Sequence, residues 1–331
     1  MHKNIAVLMG GYGSEVNISI NSGKTVIQAL DKEVYAAYAV HILSDRWVCV
    51  FEDEEHHINK RDFSVMLPFG QVFFDACYNT IHGAPGENGE LQAYLKAIGM
   101  PQTSCDFYES ALTFNKKDTL SVLRPYNIPM ASSIYLNNKG GDVYAFAKAK
   151  LQENNITYPI FVKPNRAGSS YGVSKVYKEA DLEQAIEKAF DEDSEVLIES
   201  FLSGTEVSVG VYNLGEGVKV LPVCEIVPDG DFFDLEAKYS GKSEEIVPAR
   251  LSEEKTKAVQ ELTASVYETL NLKGICRVDF IFHEDIPHFV EVNTNPGLSS
   301  ESIIPRQIKA AGLTLKDVFG QAIEACLGDN E

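Results

Sequence analysis

What the sequence lacks narrows its function early. Its six cysteines (49, 77, 105, 224, 276 and 326) include no Cys-x-x-Cys pair. Neither a disulfide framework nor a zinc-ribbon spacing is therefore legible, and free thiols in a reducing cytoplasm are expected. No apolar run approaches the ~18 residues needed to span a bilayer. Ile5-Ala-Val-Leu-Met9 is too short for a signal-peptide core before it meets Gly10-Gly11. Basic residues are scarce: 29 Lys and Arg stand against 48 Asp and Glu, a formal charge of −19. Nucleic acid and anionic membranes require basic surface, so neither is expected as a partner. A small anionic substrate is still compatible, because a pocket can be locally basic. Low-complexity tracts are absent too, as is any repeat beyond a general βα alternation.

The composition that remains is ordinary for a soluble globular protein: 331 residues, 44% hydrophobic and 23% charged, enough for two or three domains. Residues 4–9 read as a buried strand, followed by a Gly-rich turn and a helix from about Ser19 to Leu30. A strand near Val72–Tyr78 leads into His82-Gly-Ala-Pro-Gly-Glu-Asn-Gly89, and Leu91–Ile98 reads as a helix stopped at Gly99. This alternation predicts a parallel, wound α/β domain with its ligand site at the strand ends, where both Gly-rich turns fall. The second segment begins near Asp106, with a helix over Asn115–Arg124, the strand Ile160-Phe-Val-Lys163-Pro164, and a helix over Glu179–Phe190. The third opens with the strand Glu195–Glu199 and closes with a helix near Leu315–Leu327. The expected domains are 1–104, 105–197 and 198–331.

The most informative stretch is Ile275-Cys-Arg277-Val-Asp279-Phe-Ile-Phe282, followed by His288-Phe-Val-Glu291-Val-Asn293-Thr-Asn-Pro296-Gly297. Both halves are β-branched and aromatic, with a turn expected at His283–Pro287, so they predict a hairpin. Alternation places Arg277 with Asp279, and Glu291 with Asn293, each pair on one face. If Phe282 pairs with His288, Asp279 lies opposite Glu291. Facing carboxylates repel unless a cation sits between them. Oxygen ligands from Asp, Glu and Asn suit Mg²⁺, which completes its shell with water and phosphate.

Lys163-Pro-Asn-Arg-Ala-Gly168-Ser169-Ser170-Tyr-Gly172 supplies a lysine at a strand end and a small-residue loop whose N–H groups can cradle an anion. A polar hairpin loop with a solvated lysine is the plain alternative. Glu15 could hold a substrate ammonium or simply favour a helix N-terminus. His82 could serve a site or be a hydrogen-bonded structural histidine. Asp234-Leu-Glu-Ala-Lys238-Tyr239-Ser-Gly241 could be a lid loop, with a plain surface loop as the competitor. Two decoys are set aside. Ser22-Gly23-Lys24-Thr25 lacks the P-loop's leading glycine, since Ile18 stands there, and it reads as helix interior. Gly11-Tyr-Gly13 has Val16 where a dinucleotide fingerprint needs its third glycine, so a nicotinamide cofactor is not expected.

Taken in order, these motifs resemble the D-alanine–D-alanine ligases of the ATP-grasp superfamily. The series runs from Val7-Leu-Met-Gly-Gly11 with Glu15 and Ser19, through His82-Gly, Gly86-Glu-Asn-Gly89 and Ser110–Lys116. It continues with Val162–Gly172, Glu236-Ala-Lys238-Tyr239, Arg277-Val-Asp279 and Glu291–Gly297, covering nearly the whole chain. The resemblance implies a three-domain ATP-grasp fold, α/β and α+β, with an N-terminal wound α/β domain and ATP between the other two. It implies that Lys116, Lys163, Gly168 and Ser170 meet the ATP phosphates, with Lys238 carried in by the lid. Glu199, Phe201, Leu202 and Glu206 would line the adenine and ribose site opposite Ile281 and Val290. Asp279, Glu291 and Asn293 would hold two Mg²⁺ (or Mn²⁺). Glu15 would bind the first D-alanine near His82 and join Ser169 and Tyr239 in a hydrogen-bonded triad. Arg277 and the Gly297 backbone would stabilise an oxyanion, and Ser302 would take the carboxylate of the second D-alanine.

The implied activity is ATP-dependent formation of D-alanyl-D-alanine through D-alanyl phosphate, for peptidoglycan precursors, by a cytoplasmic homodimer. Two alternatives are D-lactate or D-serine as second substrate, and a non-catalytic ATP-binding regulator. Tyr239 stands where D-lactate-using relatives tend to carry Phe, which favours an amine nucleophile. A regulator should have lost Arg277 or a metal ligand, and none is lost. Asn17 and Asn88 depart from acidic residues common in relatives, away from the implied chemistry. Glu301, after Ser300, could tune the second subsite.

Overall fold

The structure is a computed structural model and describes residues 2–168, 171–228 and 243–328. Ser169, Ser170 and the whole of residues 234–241, the candidate lid loop with Lys238 and Tyr239, lie outside the described residues.

The first unit holds β1 (Lys3–Gly11), α1 (Val16–Ala29), β2 (Tyr35–Leu43), β3 (Trp47–Phe51), β4 (Glu54–Asn59), β5 (Ser64–Leu67), β6 (Gly70–Val72), β7 (Ala76–Asn79) and α2 (Glu90–Ala97). Its strands are ordered β6-β5-β4-β3-β2-β1-β7. Only β2, β1 and β7 run parallel; β3 to β6 form an antiparallel meander. The expected wound parallel sheet is thus confined to the part that bears the site. The single strand expected at Val72–Tyr78 is two, broken at Phe73–Asp75. Laid flat, seven strands would hold their edges roughly 29 Å apart. The four steps from Val72 to Ala76 reach at most about 14 Å. The sheet must therefore curl, and Phe63, Val65 and Phe74 fill the fold of the curl. The P-loop-like Ser22–Thr25 lies inside α1, as its sequence predicts.

The second unit holds α3 (Phe107–Phe114), α4 (Lys116–Leu123), β8 (Ser133–Asn137), α5 (Val143–Glu153), β9 (Ile160–Pro164), β10 (Ser174–Val176), α6 (Leu182–Phe190) and β11 (Glu195–Ser200). The sheet order is β10-β9-β11-β8, antiparallel throughout. Leu182, Ala185, Ile186 and Ala189, the apolar stripe of α6, close over Ile160, Val162, Val196 and Ile198. A boundary after residue 197 therefore cuts β11, which pairs with β8 and β9 and belongs to this unit. The apolar run of Glu195–Ser200 gives no hint of which neighbour it will choose.

The third unit holds β12 (Gly204–Asn213), β13 (Val218–Val220), β14 (Cys224–Pro228), β15 (Ser243–Ile246), α7 (Glu253–Thr269), β16 (Gly274–His283), β17 (Ile286–Asn293), α8 (Ile303–Ala310) and α9 (Leu315–Gly328). The sheet runs β15-β14-β12-β16-β17, with β13 also against β12. Asp279 does face Glu291, but not by the expected route. The turn has two residues, Glu284 and Asp285, both with positive φ (49° and 66°), so Phe282 pairs with Pro287 rather than His288. A bulge at Asp279/Phe280 then restores the offset. Val290 is the extra residue. Bulges re-aim side chains near sites, and here Val290 and Glu291, adjacent in sequence, both reach the same cavity. Helix α9 packs on the first sheet, with Phe319 and Ile323 among Ile5, Val7 and Tyr78, in a core that also takes in Tyr212 and Ile275 of the third sheet.

Candidate active site

A cavity of about 620 Å³ opens where the three sheets meet. Every described residue expected at a site lines it: Glu15 and His82 from the first unit, Lys116, Lys163, Gly168 and Glu199 from the second, Phe201 and Leu202 from the connection to the third. The third contributes Glu206, Arg277, Asp279, Ile281, Val290, Glu291, Asn293, Gly297 and Ser302.

Two of the cationic side chains come from strand and helix ends and Arg277 from within β16, and each faces a carboxylate. Lys163, near the end of β9, lies with its Nζ 2.6 Å from Oε2 of Glu199 on the neighbouring β11. Lys116 opens α4, capped by Asn115, whose side chain accepts the Asp118 N–H. Its Nζ donates to the Ala167 carbonyl at 3.0 Å and lies 3.4 Å from Glu291. Arg277 donates through Nε and Nη2 to the two oxygens of Asp279, at 2.9 and 2.8 Å. Burial opposes the guanidinium charge, but Asp279 outweighs it and holds the Arg277 pKa above its ordinary value. Asp279 also accepts from Ser208 Oγ at 2.6 Å and Asn293 Nδ2 at 3.1 Å.

This donor set fits a hard cation. Asp279 and Glu291 face each other across a strand pair, with the Asn293 amide beside them. Among the described residues no cluster of three or more His, Cys, Asp or Glu forms a metal cage. Two carboxylates and an amide leave coordination places for phosphate and water, as Mg²⁺ prefers.

Glu15 stands at the start of α1 and also lines the cavity. A Cβ on Gly168 would lie 2.9 Å from its Oε2, and one on Gly83 3.4 Å away, so two glycines make room for this carboxylate. His82 is buried, and both ring nitrogens have protein partners: Nδ1 lies 2.8 Å from the Asn295 carbonyl and Nε2 3.3 Å from Ser22 Oγ. That is the structural-histidine arrangement. Burial holds its pKa below the ordinary value, against the pull of Glu15. Ser302 stands at the start of α8 without capping it. Its Oγ meets Ser299 Oγ at 2.7 Å, and a Cβ on Gly297 would lie 2.8 Å from it.

Sequence reasoning missed several groups here. Glu87, within the Gly86-Glu-Asn-Gly89 motif, accepts N–H bonds from Gly83 at 2.6 Å and from Asn295 at 3.3 Å. Burial, then the Glu15 charge, push its pKa up to about 8. Glu245, bound to Arg306 at 2.8 Å, and Glu225, bound to Arg250, line the same cavity. Their partners are distant in sequence, so spacing could not flag them. Only the glycine-flanked setting of Glu87 offered a signal.

An antiparallel sheet carrying a glycine loop, facing a second sheet that presents Arg-x-Asp and Glu-x-Asn across one cavity, defines an ATP-grasp ligase. Comparison with known proteins narrows the class. Residues 4–105 match the family model "D-ala D-ala ligase N-terminus" and residues 122–324 the model "D-ala D-ala ligase C-terminus". The chain is 55% identical over 328 residues to the D-alanine--D-alanine ligase of Christiangramia forsetii, covering 99% of each. Among solved structures, D-alanyl-alanine synthetase A from Vibrio cholerae aligns with a TM-score of 0.88 at 26% identity, over 99% of each chain. The VanG D-Ala:D-Ser ligase from Enterococcus faecalis aligns at 0.86 and 29%, over 98% of this chain and 100% of that one. The chain belongs to the D-alanine–D-alanine ligase family.

Proposed function

We propose that this protein joins two D-alanine molecules into D-alanyl-D-alanine, with ATP cleaved to ADP and phosphate, as a step toward peptidoglycan precursors. The observation that carries this reading is the convergence of these groups on one cavity. Lys116, Lys163, Asp279, Glu291, Asn293, Arg277, Glu15, Gly297 and Ser302 all line it.

A carboxylate is a poor electrophile, and phosphorylation corrects that. One carboxylate oxygen of the first D-alanine, its ammonium held by Glu15, attacks the γ-phosphorus, and ADP leaves. The two lysines offset charge on the transferring group. Divalent cations, held by Asp279, Glu291 and Asn293, would supply electrostatic stabilisation of the phosphates. The amine of the second D-alanine, its carboxylate at Ser302, then attacks the acyl carbon. Arg277 and the Gly297 backbone stabilise the tetrahedral oxyanion. The C–O bond to phosphate breaks, the amine loses a proton, and the dipeptide remains.

The test is product identity. Purified protein with ATP, Mg²⁺ and D-alanine is expected to release ADP and phosphate in step with a dipeptide of the mass of D-alanyl-D-alanine. Parallel reactions with D-serine and D-lactate in competition measure the second subsite. ATP turnover unaffected by D-alanine would overturn the reading. A cytoplasmic homodimer belongs to the same reading, supported by the family resemblance.

A further inference from the structure

Asn165 lies one residue past β9 and is fully buried. Its side chain is saturated. Oδ1 accepts the Lys117 N–H at 2.8 Å, while Nδ2 donates to Asn115 Oδ1 at 2.9 Å and to Glu195 Oε2 at 2.8 Å. Its backbone joins in: the carbonyl accepts the Lys116 N–H at 3.2 Å, and the N–H donates to the Glu195 carbonyl at 2.9 Å. A flipped amide would set NH₂ against the Lys117 N–H, so the network fixes its orientation. This one residue thus touches the capping residue of α4, its first two N–H groups and the start of β11.

The neighbouring contacts show what this junction controls. Lys116 is the first residue of α4, and Lys163 lies two residues before Asn165. Lys163 pairs with Glu199, farther along the β11 whose first residue Asn165 grips. Tyr135, foremost among its neighbours, keeps the Glu195 carboxyl below its ordinary pKa, so the carboxylate stays ionised to receive the amide. The adjacent Arg166 faces outward and anchors the loop mainly through Asp193, at 3.0 and 2.7 Å, with a longer contact of 3.7 Å to Glu195 Oε2.

We infer that Asn165 is a positioning residue for nucleotide binding, setting Lys116 against Lys163 by tying the start of α4 to the ends of β9 and β11. The inference rests on the reading of these lysines as phosphate-binding groups. A buried amide with every hydrogen-bonding group engaged tolerates no isostere. Asn165→Ala removes the tie. Asn165→Asp keeps the volume and the acceptor for Lys117 but loses both donors and sets a second carboxylate against Glu195.

The experiment uses the full-length protein and two readouts. In steady state, both variants are expected to raise KM for ATP by roughly tenfold or more, with the D-alanine dependence within about twofold. Arg166→Ala, which cuts the outer anchor and only a long, partly exposed contact to Glu195, should move KM for ATP by less than about threefold. Binding of a nonhydrolysable ATP analogue, measured by calorimetry, then closes a double-mutant cycle with Lys116→Ala. A residue acting through Lys116 has little left to change once Lys116 is gone. Wild-type KM for ATP in the Asn165 variants overturns the inference. So does an equal weakening in the Lys116→Ala background, or an equal effect of Arg166→Ala. If Asn165→Ala does not fold, by circular dichroism, Asn165→Asp decides. Wild-type protein that lacks D-alanine-dependent ATP turnover would refute the proposed function instead, and the binding cycle would still judge Asn165.

Discussion

At the scale of single residues, the site is a set of ionisable groups whose charges are fixed by what they touch. Asp279 holds Arg277 charged against the cost of burial. Glu87 does the opposite. Its burial, and then Glu15, hold its pKa near 8, although two N–H groups point at it. The folded pKa exceeds that of an unfolded glutamate, so the folded state binds a proton that the unfolded state has released. Stability from this group is complete below the ordinary carboxylate range and is lost as pH rises toward 8. Glu87→Gln cannot titrate there. The stability of Glu87→Gln relative to wild type, from urea midpoints, is expected to rise between pH 5 and about 8. A difference that stays flat with pH would show that Glu87 is already ionised throughout.

Among the elements, α8 best shows how a distant contact places a residue of the cavity wall. It begins beside Ser302 and seats on β12 at Gly210. A Cβ there would lie 2.7 Å from Gln307 Oε1 and 2.8 Å from Ile304 Cδ1, while buried Gln307 donates to the Ser208 carbonyl at 2.9 Å. Gly210→Ala should therefore lift α8 and displace Ser302. The expected result is about 1–3 kcal/mol of lost stability and a raised D-alanine requirement with KM for ATP unchanged. Kinetics with each substrate varied in turn would check this; an unaltered D-alanine curve would show that α8 yields without moving Ser302. Elements were also where the sequence was most legible and most misleading. Periodicity found α6, and strand chemistry found β9 and the β16–β17 hairpin. The facing of Asp279 and Glu291 emerged from a five-residue turn that does not exist, because an unforeseen bulge at Val290 offset the error exactly as far as one residue. Bulges, like the choice of β11 for the second sheet, depend on neighbours far away in the chain. So do Asn165 and Glu87, whose partners stand 30 and 208 positions off.

At the scale of the whole molecule, the three units are not beads on a string. Helix α9 follows the β16–β17 hairpin in sequence, yet it completes the core of the first unit. Phe319 is fully buried, with its ring 5.6 Å from that of Tyr78 on β7. Phe319→Ala should cost about 3–5 kcal/mol. The loss should register in the first unit, where the single tryptophan, Trp47, lies on β3. The urea midpoint followed by Trp47 fluorescence is expected to fall. An unchanged midpoint would mean that the first sheet holds together without α9.

That exchange of a helix sets an order of events during synthesis. Chains emerge from the ribosome N-terminus first, and leading domains commonly fold before later ones appear. Here the strand carrying Val7 is made first, but the second of the two helices that cover it comes only after residues 106–314. Until then α1 alone packs on that face of the first sheet. The unit that contributes Glu15 is thus among the first made and among the last finished, and the nascent chain must keep that face from other partners while it waits.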